Sequence, residues 1–322
     1  MTEQKVIAVV GATGQQGGGL ARAILDTAGG EFACRALTRN PTSDAARALS
    51  DRGAEVVQAD LDDEASLTRA FEGAYGAYCM TNFFEHFSAD KELEQAANLA
   101  RAVKAAGIRH AIWSTTEDSR DLVPVDDDRL PAVEGTYRVP HWDGKAQGNR
   151  FFAESGVPTT FVRLSMFWEN FITPGAPQMP QRDPDGVLAI TMPAGDAKLP
   201  GIAAEDVGRC AYGVFKAGDE FVGKTVGLAG EHLTAAQLAA GLSGALGETV
   251  RYNDIPLEAL RAVPVPGVDA VANMFQIIRE NNEAYCAHYD VSLSRSLNPQ
   301  LQTFAEWLAA NKHRLQVPVG IG

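Results

Sequence analysis

Val9-Val10-Gly11-Ala12-Thr13-Gly14-Gln15-Gln16-Gly17 is the stretch on which the fold turns. A short β-branched run over 5–10 leads into it. A helical pattern over 15–27 leaves it, with Leu20, Ile24 and Ala28 on one face. Gly11 permits a tight turn, Gly14 lets the backbone approach a pyrophosphate, and Gly17 lets the helix pack closely on the sheet. The helix would then offer its free N–H groups and its positive end to the phosphates. Gly18 and Gly19 extend the glycine run and are costly inside a helix, which is consistent with close approach there. The bland alternative is a glycine-rich turn without a ligand.

Outward from that turn, strand-like runs at 32–37, 55–58, 77–80, 109–113 and 159–163 alternate with helical patterns at 41–52 and 88–106. In the last of these, Leu93, Ala97, Ala100 and Val103 recur at spacings of four and three. The alternation predicts right-handed βαβ units and an α/β fold, a Rossmann-type doubly wound parallel sheet. After about residue 166 the rhythm breaks. Pro174, Pro177, Pro180 and Pro184 mark an irregular connection, followed by helical patterns at 203–217, 234–246, 257–262, 268–279 and 303–313 and short strands at 225–228 and 249–253. The expected organisation is a dinucleotide-binding domain over 1–165 and a smaller C-terminal α/β lobe over 166–322, with elements free to interleave.

The 322 residues suit two lobes or one large α/β domain. With 45% hydrophobic and 21% charged residues, wholesale disorder is ruled out. Acidic residues outnumber basic ones 41 to 28, a net charge of −13, which disfavours direct nucleic-acid binding and docking on anionic membranes. Cys34, Cys79, Cys210 and Cys286 form no C-x-x-C pair and match no zinc spacing, so they read as reduced, buried thiols. The run after Met1-Thr2-Glu3-Gln4-Lys5 is too short for a secretory signal, and no stretch approaches the roughly 18 apolar residues of a membrane span. A cytoplasmic protein is expected. A long loop over 117–140 contains Asp126-Asp127-Asp128; adjacent carboxylates without spaced partners read as a solvated loop, and no metal site is expected.

Coenzyme choice is read at the end of the second strand, Leu37-Thr38-Arg39-Asn40. No carboxylate stands there to hold a ribose 2′-hydroxyl, and Arg39 is a fork suited to a 2′-phosphate. NADP(H) is therefore favoured; an Arg39 that stacks on adenine or is simply solvated is the alternative. Asp60 either meets the adenine amino group or caps the next helix.

The ordered series GATGQQGG (11–18), LTRNP (37–41), GAEVVQAD (53–60), TNFFE (81–85), HWDGK (141–145) and VRLSMFWENF (162–171) resembles the NmrA-like proteins, an atypical branch of the short-chain dehydrogenase superfamily. The resemblance covers nearly the whole chain. It implies a Rossmann lobe, a smaller C-terminal lobe and a cleft between them. By that likeness Gly11, Thr13, Gly14, Gln15, Gln16 and Gly17 line the phosphates, and Arg39 takes the 2′-phosphate. Asp60 and Leu61 flank adenine, Thr81 and Asn82 lie near the diphosphate and ribose, and Lys145 reaches the nicotinamide ribose. Two departures stand out. Thr42-Ser43-Asp44 follow Pro41 where a sensor-type member carries further basic residues, which leaves NAD(H) open. The 117–140 loop is longer than usual and suggests an extra lid over the cleft.

Typical short-chain dehydrogenases use Tyr-x-x-x-Lys, with the lysine lowering the tyrosine pKa. Here the spacing is His141-Trp142-Asp143-Gly144-Lys145. Residues 141 and 145 share a helix face, so His141 is either a proton donor or structural. Ser114, ending the fifth strand, fits the superfamily's catalytic serine or a buried hydroxyl. Tyr137 substitutes for the missing tyrosine only if its loop folds in. A quinone tolerates a weak acid, because hydride addition yields a stabilised phenolate; a simple ketone does not. Phe83, Phe84, Phe87, Trp113, Phe167, Trp168 and Phe171 supply aromatic surface for a flat guest. The expectation is an NAD(P)(H)-binding oxidoreductase acting on a small aromatic or quinone-type substrate, by reductive or oxidative tailoring. The alternative is a non-catalytic NADP(H) redox sensor that acts through a protein partner. A homodimer stays open.

Overall fold

The computed structural model describes residues 4–315 apart from 125, 134 and 177; Met1, Thr2, Glu3 and Pro177 of the sequence reading thus lie outside the described residues. The first half supplies β1 (Lys5–Val10), α1 (Gln15–Leu25), β2 (Phe32–Thr38), α2 (Asp44–Asp51), β3 (Glu55–Gln58), α3 (Glu64–Phe71), β4 (Gly76–Cys79), α4 (Ala89–Ala105), β5 (His110–Thr115), α5 (Pro140–Gln147), α6 (Asn149–Ser155) and β6 (Thr159–Leu164). The second half adds β7 (Met166–Phe167), β8 (Gln181–Arg182), β9 (Leu188–Met192), β10 (Lys198–Ile202), α7 (Ala204–Lys216), β11 (Thr225–Leu228), β12 (Glu231–Thr234), α8 (Ala235–Leu246), β13 (Val250–Asp254), α9 (Leu257–Arg261), α10 (Val268–Glu280), α11 (Asn282–Ala287), α12 (Val291–Leu297) and α13 (Phe304–Asn311).

The main sheet is parallel throughout, in the order β11-β6-β5-β4-β1-β2-β3. It is a Rossmann-type sheet wound on both faces. One face is covered by Leu20 and Ile24 of α1 and by Val207 and Val214 of α7. The other is covered by Leu67 of α3, Leu99 and Val103 of α4 and Phe152 of α6. Burial on both faces explains why every residue of β5 is buried and why these strands read as continuous apolar runs. The order reverses between β1 and β4, so the carboxyl ends of those strands flank the crevice where such sheets bind ligands.

The chain does not divide cleanly at 165/166. After a first excursion it returns: α7 packs on α1, and β11 adds the outer strand beside β6. Two glycines permit that return. A Cβ on Gly208 would stand 2.0 Å from the Leu20 nitrogen, and one on Gly19 would stand 2.9 Å from the Glu205 carbonyl oxygen. The close approach suggested by Gly19 is thus a helix–helix contact. Residues 204–228 belong to the first lobe despite following the break in rhythm.

The second lobe wraps two three-stranded sheets, β12-β10-β7 and β13-β9-β8, around its own core. Trp168 and Phe171 belong to that core and not to the cleft, which corrects the sequence expectation. Trp168 fills the space left open by Gly201 and Gly230 and packs against Phe304, 5.4 Å between ring centroids. Phe167 is half-buried in β7, paired with β10. The 117–140 segment is not a free lid either. Val123, Leu130 and Val139 are buried in the second core, and buried Asn273 of α10 donates to the carbonyls of Pro131 and Arg138. Asp127 is engaged by Arg129, which also reaches Glu280.

Candidate functional site

The glycine turn adopts the conformation its sequence demands. Gly11 sits at φ +65°, open to glycine at little cost, and a Cβ there would meet the Met80 sulfur at 2.8 Å. A Cβ on Gly17 would lie 2.5 Å from the Val10 carbonyl oxygen, which is why α1 can start so close to the sheet. Gly14 is the N-cap and provides no side chain to the first-turn amides. Those amides have no intrahelical partner, so they are available to an anion. A pocket of about 540 Å³ opens beside Thr13, Gly14 and Gln15, with Arg22, Arg209 and Arg314 among its other lining residues. The uncapped helix end and its tight glycine backbone fit a dinucleotide phosphate bridge; the guanidinium groups of Arg22 and Arg209 are instead paired with Glu205 and Asp206, and Glu169 and Glu205 line the same pocket. Gln16 differs from its neighbours: its Oε1 accepts from Ser114 Oγ at 3.0 Å and Tyr78 Oη at 3.2 Å. Its side chain turns toward β4 and β5, which leaves its backbone amide, not its side chain, for an anion.

Arg39 follows β2 and is exposed, but its guanidinium is not idle. It makes a two-pronged ion pair with Glu85, 2.9 and 3.0 Å. Asn82 Nδ2 reaches the same carboxylate at 3.3 Å. Asp60 does not cap the following helix: Asp63 does, accepting from the Ser66 amide, while Asp60 Oδ1 accepts from the Asp62 amide in a local turn. The Leu61 carbonyl is taken by Asn98 Nδ2 at 2.9 Å.

The second half of the site lies beyond β4 and β5. Lys145 is buried, and its Nζ donates to the Thr81 carbonyl at 2.9 Å and to Thr81 Oγ1 at 2.6 Å. The same Nζ lies 2.6 Å from Glu92 Oε1 and 5.6 Å from the Trp113 ring centroid. Thr81 Oγ1 in turn donates to Glu92 at 2.5 Å. Small residues make this reach feasible. Gly144 lies against Ala89, and Gly148 against Ala96 and Trp113, so α5 can ride low on α4. Asp143 fixes the start of α5 by accepting from the amides of Ser119, Arg138 and Val139. The other oxygen of Glu92 faces His86 Nε2 at 3.4 Å. The Ser88 amide donates to His86 Nδ1, so a neutral His86 carries its proton on Nε2, toward Glu92.

Above this network stands an aromatic mouth. Phe83 is buried, but Phe84 and Phe87 are 63% and 66% exposed, unusual for residues of that size. Phe84 lies 5.9 Å from Phe87 and 5.8 Å from the His141 ring. Phe87 holds φ at +52°, a left-handed conformation that costs a non-glycine residue roughly 1–2 kcal/mol. Burial, aided by the charge of Lys145, pushes the His141 pKa down to about 4, against the pull of Glu92. His141 is therefore neutral near pH 7 and is not a standing acid. Trp113 is fully buried, stacked on Phe152 at 4.7 Å. It forms the floor beneath Lys145 and is not a wall of the mouth. Ser114 is buried and donates to Gln16 Oε1 at 3.0 Å. The Tyr137 carbonyl accepts from the Val133 amide, within the loop tied to the second lobe.

Sequence reasoning missed Glu92, His86 and Glu85. The signal for Glu92 was present but overlooked, because the apolar spacing puts the first half of the α4 stripe on Leu93 and Ala97. Ala100 and Val103 are buried as expected, Leu93 and Ala97 are only half-buried, and Glu92 is buried beside Ala89, Ala96 and Leu99; a carboxylate on an apolar face announces a buried partner. A further cluster gave no signal at all. Glu117, fully buried, lies 2.8 Å from His288 Nδ1 and 3.6 Å from Arg163 Nη1, joining β6 to the segment after α11. Burial pushes the phenols of Tyr285 and Tyr289 upward, and the charge of Glu117 adds to the rise. Among the described residues there is no group of three or more His, Cys, Asp or Glu side chains placed to hold a metal ion, and no helix long and apolar enough to cross a membrane.

Comparison with known proteins adds an independent line. A family model described as the NmrA-like family matches residues 3–308. An NmrA-like family domain-containing oxidoreductase, FrzB of Cladobotryum sp, is 27% identical over 303 residues, 88% of this chain and 86% of its own. Among solved structures, NmrA, a negative transcriptional regulator, in complex with NADP, is 26% identical with a TM-score of 0.74, covering 95% of each chain. The NADPH-dependent quinone oxidoreductase QOR2 of Escherichia coli, complexed with NADPH, is 25% identical with a TM-score of 0.71, covering 94% of this chain and 99% of its own.

Proposed function

Because the chain belongs to the NmrA-like family, we propose that it is an NAD(P)H-dependent oxidoreductase whose substrate is a flat aromatic or quinone-type small molecule. The observation that carries this reading is the position of Lys145: a buried ammonium, held by Thr81 and Glu92, beneath an exposed group of phenylalanines. The glycine turn lies at the same end of the sheet and suits the coenzyme's phosphates. The relative solved with NADPH that is named a quinone oxidoreductase supports the substrate class.

When bound, the reduced coenzyme would supply a hydride. The protein's own groups account for the rest. Phe84 and Phe87 offer ring faces to a planar guest and exclude water above it. The Lys145 ammonium stabilises negative charge that develops on the acceptor oxygen. Glu92 and Thr81 fix its Nζ, so no reorganisation is needed as that charge appears. Neutral His141 forms one wall of the mouth. No tyrosine is required to donate, because a hydroquinone anion takes its proton from water.

The test is direct. The purified chain is mixed with NADPH and a panel of quinones, and absorbance at the nicotinamide band is followed. The proposal expects turnover that Lys145→Ala abolishes. No turnover with any acceptor, alongside micromolar coenzyme affinity, would instead favour a redox sensor acting through a protein partner. One observation favours that second reading: Lys145 Nζ already has three close oxygen neighbours in the protein.

A further inference from the structure

We propose that Glu85 sets the balance between NADP(H) and NAD(H) by competing with the coenzyme's 2′-phosphate for the Arg39 fork. The inference rests on the dinucleotide reading of the glycine turn and goes beyond it, to the residue that selects between coenzymes.

In strand–turn–helix nucleotide sites, the end of the second strand meets the adenosine ribose, and a carboxylate there holds the 2′-hydroxyl. This chain has Arg39 at that place and no acidic residue on β2 beside it. The structure nevertheless delivers a carboxylate to the same spot from another strand. Glu85 ends the one-turn helix Phe83–Glu85 after β4, and β4 lies two strands from β2, on the far side of β1. Its two oxygens meet the two Arg39 Nη atoms at 2.9 and 3.0 Å, and Asn82 Nδ2 adds a third contact. The carboxylate therefore occupies the donors that a 2′-phosphate needs.

The pair is also reversible. Its side chains are 65% and 47% exposed, and ion pairs this exposed are held only weakly. A phosphate carries more charge and three acceptor oxygens, so it displaces the carboxylate from the fork. Displaced, Glu85 remains a negative neighbour of that phosphate and lowers its affinity. With a plain ribose the roles reverse, since Glu85 accepts from the 2′-hydroxyl while Arg39 holds the carboxylate in place. The neighbouring Thr42-Ser43-Asp44 adds no second cation to tip the balance. Arginine and carboxylate together leave both coenzymes usable.

The experiment measures dissociation constants for NADPH and for NADH by calorimetry, on the wild-type chain, Glu85→Gln and Glu85→Lys, at low ionic strength. Glu85→Gln should tighten NADPH about five- to tenfold and weaken NADH about two- to fivefold, moving the ratio at least about tenfold. Glu85→Lys should move it further the same way, and added salt should shrink both shifts. Unequal response of the two coenzymes is the signature that a merely structural Glu85 would not give. Equal changes for both, or no change in either, would overturn the proposal while leaving the dinucleotide reading intact. A wild-type chain that bound neither coenzyme would overturn both.

Discussion

Glu92 and Glu117 make an instructive pair. Both are fully buried, Glu92 in the first turn of α4 and Glu117 just past the carboxyl end of β5, and each keeps one oxygen without a hydrogen-bond partner. Their partners differ in kind. Glu92 serves a lysine and a threonine under an open aromatic mouth, all drawn from residues 81–145 of the first lobe. Glu117 is gripped by Arg163 of β6 and by His288, contributed by the segment that returns from the second lobe. A buried carboxylate must be neutralised wherever it sits, and what differs is the use made of the neutralising group. At Glu92 the cation stays within the first lobe, held on Thr81 and Glu92. At Glu117 the cation belongs to the joint between lobes.

Variants can break that contrast. The largest effect is expected at the joint: Glu117→Ala strands a buried guanidinium and should cost about 3–5 kcal/mol of unfolding free energy, read by urea denaturation. A cost under about 1 kcal/mol would mean that the joint clamps nothing. Lys145→Met should cost about 2–4 kcal/mol by stranding Glu92, and adding Glu92→Gln should restore much of that loss without restoring turnover. Turnover surviving in either lysine variant would remove Lys145 from the chemistry. Third in size, Arg39→Ala should weaken NADPH by about 1.5–3 kcal/mol and NADH by less than about 1 kcal/mol, the loss of its hold on Glu85, as judged by calorimetry. Equal losses would refute the 2′-phosphate role.

A pH profile sharpens the comparison further. His141 holds its pKa at about 4 when folded, below an unfolded value near 6.5. Between those limits the unfolded chain binds the proton and the folded one does not, so stability falls as pH drops from about 6.5 to about 4. Because the ring is only partly covered, about 1–2 kcal/mol is expected, less than the full ~1.4 per pKa unit. His141→Phe should flatten that slope, measured by denaturation at a series of pH values; an unchanged slope would locate the effect at His110 or His232, whose pKa values burial also lowers. Smallest of all, Phe84→Ala should change stability by no more than about 0.5 kcal/mol, since its ring is exposed, yet raise KM for a quinone. An unchanged KM would take the mouth out of substrate binding.

The legibility of the site follows its locality. Gly11, Gly14 and Gly17 were readable because three residue identities within seven positions dictate one backbone shape. The lysine spacing was readable because one helical turn carries it. Trp168 and Phe171 were misplaced because an aromatic after a strand end looks alike in cleft and core; only the space opened by Gly201 and Gly230 decides. The α4 stripe was right at Ala100 and Val103 but misplaced at Leu93 and Ala97, because alanines on several faces make the apolar period ambiguous, which hid Glu92.

By itself, then, the chain's sequence determined the parallel sheet, the glycine turn and the identity of the lysine, each of which depends on contacts within a few residues or on a regular alternation. Tertiary structure alone decided that Glu85 would cross from the end of β4 to Arg39, that Glu92 would neutralise Lys145, and that Glu117 would meet His288 across 171 positions. Those pairings are set by how strands order themselves and how closely glycine-bearing helices approach. Long-range electrostatic partners leave no periodic trace along a chain, because only the folded sheet brings their charges within a few ångströms of each other.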